Sequence, residues 1–234
     1  MNPSGGLLWH WRAWRSQQRW GQTRQEIAQW LGAVAPRADE LLLVGASAGW
    51  MLPGTWLQQF KQVHAWDIDP TAQTLFHWRH ARALASSGTV LRWHRADALV
   101  SLGAILQQHP KACILFDNLL GQLCFHCHDE DQAAGRLAEI VKAMAAREWG
   151  SLHDAYSGPV RAPCPAQPAM QQRPAGEDQA ADRAWLALMG AQGHWLDHRT
   201  ASLFPDGTPV QHMAWPYQPG YWHWLQAGWV TPRV

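Results

Sequence analysis

Apolar residues along this chain alternate between short continuous runs and stripes. Leu41 to Val44, Val63 to Trp66 and Ala112 to Phe116 are runs of four or five, each ending in glycine or aspartate. Such runs suit strands buried on both faces of a parallel sheet. Between them the apolar positions fall three and four apart, as on one face of a helix. Ile27, Trp30, Leu31 and Val34 form such a stripe behind Thr23-Arg24-Gln25-Glu26, which fits a capping box, and the stripe stops before Pro36. Leu7, Trp11 and Trp14 stand at helical spacing within residues 7–19, with Arg12, Arg15 and Arg19 largely on other faces. Two helices are therefore expected before the first strand, where they cover a sheet edge or roof a ligand cleft.

From residue 41 onward the two patterns alternate. Helices are expected from Pro53 to Lys61, from Thr71 to Leu84, from Leu99 to Gln107 and from Asp131 to Arg147, the last with Leu137, Ile140, Val141 and Met144 inward. Strands are expected at Val63 to Asp67, Val90 to His94, Ala112 to Phe116 and Trp149 to His153. Strand-helix alternation of this kind predicts an α/β, doubly wound, mostly parallel sheet with helices on both faces. Residues 157–176 hold five prolines and little periodicity, so they read as a mobile loop or lid. A helix over Glu177 to Gln192, with Ala181, Trp185 and Leu188 on one side, leads to strands at His194 to Phe204 and Pro209 to Trp215. These two strands flank a turn at Pro205-Asp206-Gly207, and Tyr221 to Trp229 closes the chain as a helix or strand. The organisation is a helical extension, residues 1–36, and one α/β domain, residues 37–234.

The first strand empties into Gly45-Ala46-Ser47-Ala48-Gly49, and Asp67 ends the second strand 22 residues after Gly45. A glycine turn lets backbone approach a ligand closely, and an acid about twenty residues on can accept hydrogen bonds from ribose hydroxyls. Two further acids end later strands, in Arg95-Ala96-Asp97-Ala98-Leu99 and in Leu115-Phe116-Asp117-Asn118. In this order of motifs the chain resembles the class I S-adenosylmethionine-dependent methyltransferases, by motif over roughly residues 40–150 and by element order to the C-terminus.

The resemblance implies a Rossmann-like, seven-stranded sheet closed by an antiparallel C-terminal hairpin strand. It implies S-adenosylmethionine as cofactor, with Gly45, Ala46, Ser47 and Gly49 under its methionine part, Asp67 at the ribose, Ile68 on the adenine face and Asp97 with Ala98 at the adenine edge. Asp117 and Asn118 would line the reacting end. Ser47 stands where the family's loop has its middle glycine. The acceptor is expected to be a small molecule. Asp117-Asn118-Leu119-Leu120 lacks the two prolines and aromatic residue with which related enzymes hold an exocyclic base amine. His153-Asp154, at the end of the fifth strand, is the candidate pair for taking a proton from an acceptor.

Two other motifs compete for the same residues. Gly45-Ala46-Ser47-Ala48-Gly49 also matches G-x-S-x-G, the nucleophile elbow of serine hydrolases, for which Asp206 is a possible dyad partner; Gly5-Gly6 is all that stands for an oxyanion loop. A module that binds S-adenosylmethionine without turnover is the third reading. Cys124-Phe125-His126-Cys127-His128 matches the c-type haem signature and could hold zinc. With thirteen histidines in the chain it reads as coincidence, and no metal is expected.

Composition changes this picture little. Nineteen basic and eighteen acidic residues give a net charge of +1 and no overall electrostatic basis for nucleic acid or an anionic membrane as partner. No signal peptide is evident and no run approaches a membrane span, so a cytoplasmic protein with free cysteines is expected. Oligomeric state is left open. Seventeen tryptophans beside sixteen arginines and three lysines suit GC-rich coding, although single tryptophans make rigid pocket walls.

Overall fold

The computed structural model describes residues 6–125, 130–164, 166–176 and 179–232. Two helices, α1 (Gly6–Arg15) and α2 (Gly21–Ala33), precede β1 (Glu40–Val44), α3 (Gly54–Leu57), β2 (Gln62–Trp66), α4 (Ala72–Ser87), β3 (Val90–His94), α5 (Leu102–Gln108) and β4 (Cys113–Asp117). A 3-10 turn (Leu120–Phe125) leads to α6 (Glu130–Met144), β5 (Trp149–Pro159), β6 (Gln171–Pro174), α7 (Gln179–Leu188), β7 (Leu196–Asp197), β8 (Pro209–Gln218) and β9 (Tyr221–Val230). The sheet order is β3-β2-β1-β4-β5-β9-β8-β6, with β7 paired to β5. β1 to β5 are parallel, and β9, β8, β6 and β7 join antiparallel. Seven of these strands make the doubly wound arrangement that the motifs imply; the short β6 and β7 are additions at its margin.

The continuous apolar runs are buried on both faces, as their pattern requires. Leu41 and Leu43 of β1 and Cys113 and Leu115 of β4 pack into one core with Ala13, Ile27, Leu31, Leu57 and Phe76 from α1 to α4. Their alternate neighbours Leu42, Val44, Ile114 and Phe116 pack into a second core with Ile105 of α5 and Leu137, Ile140 and Met144 of α6. One-residue alternation thus assigns α1 to α4 to one face and α5 and α6 to the other. A third cluster, with Trp185 of α7 and Trp222 and Trp224 of β9, fills the far end.

Several boundaries and faces differ from expectation, each for a physical reason. On α1 the expected stripe faces solvent: Leu7, Trp11 and Trp14 are 71, 56 and 59% exposed, while His10 and Ala13 are buried. Polar anchors on His10 and the Gly6 backbone, described below, set the helix's rotation. The capping-box residues lie inside α2, which starts at Gly21 with Trp20 at its N-cap. Thr23 Oγ1 donates instead to Ala214 O at 2.9 Å, and Glu26 accepts from Met170 N at 2.9 Å.

The Glu26 bond also tethers the proline-rich segment, at Met170, to α2. Gln167 Nε2 donates to Ala214 O at 2.7 Å, and Gln171 to Pro174 form β6 against β8. The hairpin is β8 to β9, joined at Pro219-Gly220, where Gly220 has φ 73°. Proline then left-handed glycine is the central pair of a type II turn. The expected strand at 194–204 reduces to the two residues of β7. Residues 126–129, with His126, Cys127 and His128 of the C-x-x-C-H motif, lie outside the described residues, as does Gly5. Among the described residues no helix is long and apolar enough to cross a membrane.

Candidate functional site

A cavity of about 300 Å³ opens at the C-terminal ends of β1, β2 and β4 and beside the loop after β3. That rim is where open α/β sheets bind ligands, because the strand order reverses there and the helices diverge. Of the expected residues, Gly45, Ser47, Asp67, Ile68, Asp97, Ala98, Asp117 and Asn118 line it. Ala46, Gly49, His153 and Asp154 do not.

The glycine loop is held from both sides. Gly45 N and Ala46 N both donate to Trp66 O, at 3.0 and 3.1 Å, which turns Ala46 into the core. Gly45 has φ 77°, and a Cβ there would meet Leu119 Cβ at 3.0 Å and Asp117 O at 3.1 Å. Gly49 has φ 59° and serves α4: its carbonyl faces His80 Nε2 at 3.3 Å, and Phe76 would collide with any side chain there. Ser47 adopts φ 45°, a left-handed conformation ordinarily left to glycine.

Asp67 fixes this loop. Its Oδ2 accepts from Ser47 N at 2.7 Å and its Oδ1 from Asp69 N at 2.8 Å. Burial raises its pKa, against those two bonds. Each carboxylate oxygen keeps a second lone pair, so the group can still accept from a ligand hydroxyl. Asp117 is pushed up to about 7, chiefly by burial and then by the Asp67 charge. Asn118 has φ 51°, and its side-chain oxygen accepts from Asp154 N at 3.2 Å. Asp97 Oδ1 accepts from Leu99 N at 2.9 Å, holding the β3 loop that presents Ala98.

The roof is α1, in one of the two places expected for the N-terminal helices. Asp69 Oδ2 accepts from Gly6 N and from His10 Nε2, the latter at 3.1 Å, and Trp50 Nε1 donates to His10 Nδ1 at 2.9 Å. Those bonds define His10 as neutral, with its proton on Nε2. Arg12 also donates to Tyr217 OH at 3.0 Å, and Trp20 Nε1 donates to Tyr217 O at 3.1 Å. Trp9, Trp20 and Trp215 form the apolar wall, with Trp20 edge-on to Trp215 at 5.0 Å between centroids. Trp50, Met51, Trp66, Gln122 and Arg136 also line the cavity. Their signal lay only in the tryptophan count, because single aromatic residues carry no spacing.

His153 is buried within β5, with Nδ1 3.0 Å from Ser151 Oγ and its ring against Phe204; burial lowers it to about 4. The enclosing sheet, and not its position in sequence, removes it from the cavity. Asp154 pairs with His223 at 2.9 Å. Burial acts to raise its pKa, but His223, with help from His198 and His153, holds it below the ordinary carboxylate range. His198, in turn, bonds Ser157 Oγ and Gly121 O.

The nucleophile-elbow reading fails on geometry. Ser47 Oγ accepts from Trp9 Nε1 at 3.3 Å, and an indole N–H is a donor that cannot take a proton. His10, the histidine nearest in the roof, is occupied by Asp69 and Trp50. Asp206 lies in the turn before β8, against Gly176.

No protein-family model and no curated protein sequence matches the chain. Among solved structures, it is similar to the magnesium protoporphyrin IX methyltransferase ChlM from Synechocystis PCC 6803 with bound SAH, at 15% identity and TM-score 0.48, covering 96% of this chain and 88% of that one. It is also similar to the N-methyltransferase NodS from Bradyrhizobium japonicum WM9, at 15% identity and TM-score 0.42, covering 93 and 97%. The glycopeptide N-methyltransferase MtfA complexed with S-adenosyl-L-methionine gives 13% identity and TM-score 0.42, covering 91 and 94%.

Proposed function

We propose that this chain binds S-adenosylmethionine at the β1 to β4 rim and transfers its methyl group to a small-molecule acceptor. The observation that carries the reading is the convergence of Asp67, Asp97 and Asp117 with Gly45 and Ser47 on one cavity. The donor set fits the cofactor. Asp67 offers acceptor-only oxygens suited to a vicinal diol. Ile68, Ala98 and Leu99 offer an apolar slot for a flat base, and Asp117 offers negative charge beside a positively charged sulfonium. The absence of a side chain at Gly45 leaves the loop free to lie against Leu119 and Asp117 O. When bound, the cofactor supplies the methyl group; the chain's own part is alignment and exclusion of water.

A cavity of about 300 Å³ lies at the lower end of small-molecule sites, so with the cofactor bound little room remains under the tryptophan roof, which favours a small acceptor. Asp117, pushed up to about 7, is the group placed to exchange a proton at the reacting end. Isothermal calorimetry with S-adenosylhomocysteine tests the reading. One equivalent should bind to the wild type and be lost or weakened at least about 10-fold in Asp67→Ala, as expected when charge-assisted hydrogen bonds go. No binding, or binding indifferent to Asp67, refutes it.

A further inference from the structure

Away from the cavity, Glu40, His64 and His109 converge on the α5 side of the sheet. Glu40 opens β1, His64 is the cross-strand partner of Leu42, and His109 follows the last residue of α5. One ligand atom from each lies within 4.8 Å of the other two. Glu40 Oε1 is 2.8 Å from His109 Nδ1 and 3.1 Å from His64 Nε2, so two imidazoles meet one carboxylate oxygen.

The contacts of His64 Nε2 conflict with one another. Gln62 Nε2 lies 2.6 Å from it on one side and Glu40 Oε1 3.1 Å on the other. With a proton, that nitrogen serves the carboxylate and opposes the amide donor. Without one, it accepts from the amide and turns its lone pair on the carboxylate. A divalent cation removes the repulsion, because the bare imidazole nitrogen and the carboxylate oxygen then share one partner while the Gln62 amide turns its oxygen toward the site or swings away.

We propose that Glu40, His64 and His109 bind one zinc ion, which clamps β1 and β2 to the end of α5. Two histidines and one carboxylate are a recognised zinc set, with a fourth position left for water. Zinc to nitrogen or oxygen bonds of about 2.0–2.1 Å give ligand separations near 3.3 Å in a tetrahedron. The distances of 2.8 and 3.1 Å and the 4.8 Å limit bracket that value, so only small side-chain shifts are needed. The surrounding shell is in place. His64 Nδ1 faces His94 Nε2 at 3.1 Å, which orients the ring with Nε2 toward the metal. Arg147 donates to the carbonyls of Leu106, His109 and Pro110, fixing the turn that carries His109. Glu40 and His109 are partly exposed, which gives the ion a way in.

The test uses the full chain without a histidine tag. Titration with Zn²⁺ should show one equivalent bound, weakened at least about 10-fold in Glu40→Gln and in His109→Gln, whose partly exposed positions favour folding; circular dichroism verifies it. Binding should survive Cys124→Ser/Cys127→Ser. Co²⁺ should give tetrahedral visible bands without a thiolate charge-transfer band, a readout on the wild type that needs no variant. Absence of stoichiometric zinc, survival of binding in both ligand variants, or a thiolate band with Co²⁺ overturns the proposal.

Discussion

Replacing Asp117 by asparagine should stabilise the ligand-free protein at alkaline pH. The carboxyl is pushed from 3.8 to about 7, first by burial and then by Asp67. A carboxyl whose pKa is raised by folding holds its proton more tightly in the folded state. Its favourable contribution is therefore complete below about 3.8 and is lost as pH rises through 7. Taking the group across that interval is worth roughly 4 kcal/mol at most. Because the side chain lines a cavity and is only partly buried, screening reduces this to about 1–3 kcal/mol. Asparagine removes the titration with little change of shape. At pH 8 the variant should gain about 1–3 kcal/mol, or roughly 2–12 °C in Tm for a chain of this length. At pH 4, where the carboxyl is mostly protonated, it should differ from the wild type by no more than about 0.5 kcal/mol. Urea unfolding at the two pH values measures both. Equal effects at pH 4 and 8, or a loss at pH 8, would show that Asp117 is not a strained acid and would remove it as a proton-exchanging group.

Gly45→Ala should cost about 1–3 kcal/mol, since φ 77° and contacts at 3.0 and 3.1 Å leave no room for a methyl group, and S-adenosylhomocysteine binding should fall with it; calorimetry on the folded variant measures the loss. His10 has its pKa lowered by burial, against Asp69, so the stability it confers is present above about 6.5 and is lost as pH falls below that value. Protection factors for amide exchange in residues 6–15, referred to the intrinsic rate at each pH, should accordingly fall between pH 7 and pH 5, and His10→Ala should abolish that fall. His223→Ala strands the buried Asp154 carboxylate and should destabilise by about 3–5 kcal/mol, with Asp154→Asn in the same chain restoring part of it in thermal melts.

The parallel half of the fold was legible because its strands are buried on both faces. A run such as Leu41 to Val44, short and closed by Gly45, suits a doubly buried strand, and Asp67 after the Val63 to Trp66 run then marks the same rim. The antiparallel end was less legible. Strand β9 carries histidine, glutamine and glycine among its tryptophans, a pattern with no clean period, and only Pro219-Gly220 marks its turn. The apolar spacing on α1 misled, because tertiary polar bonds to Asp69 outweigh a stripe of three exposed residues. His153 sits two residues from Ser151 on the same strand face, turned into the core, while the paired Asp154 faces His223; adjacent residues on a strand point apart, so the two cannot act together.

The placement of the site also follows from where the fold accepts unfavourable features. Among the described residues, the non-glycine positions with positive φ are Ser47, Asn118 and Arg199. Two of the three line the cavity, beside Gly45 at φ 77° and an aspartate pushed up to about 7. Left-handed conformations cost a residue such as Ser47 about 1–2 kcal/mol, and asparagine less. They persist only where surrounding structure over-determines them, and that condition is met here by the Asp67 carboxylate on Ser47 N and the Leu152 carbonyl on Asn118 N at 2.7 Å. Ser47 and Asn118 both stand beside the rim acids, so this backbone strain falls at the same strand ends as the motifs.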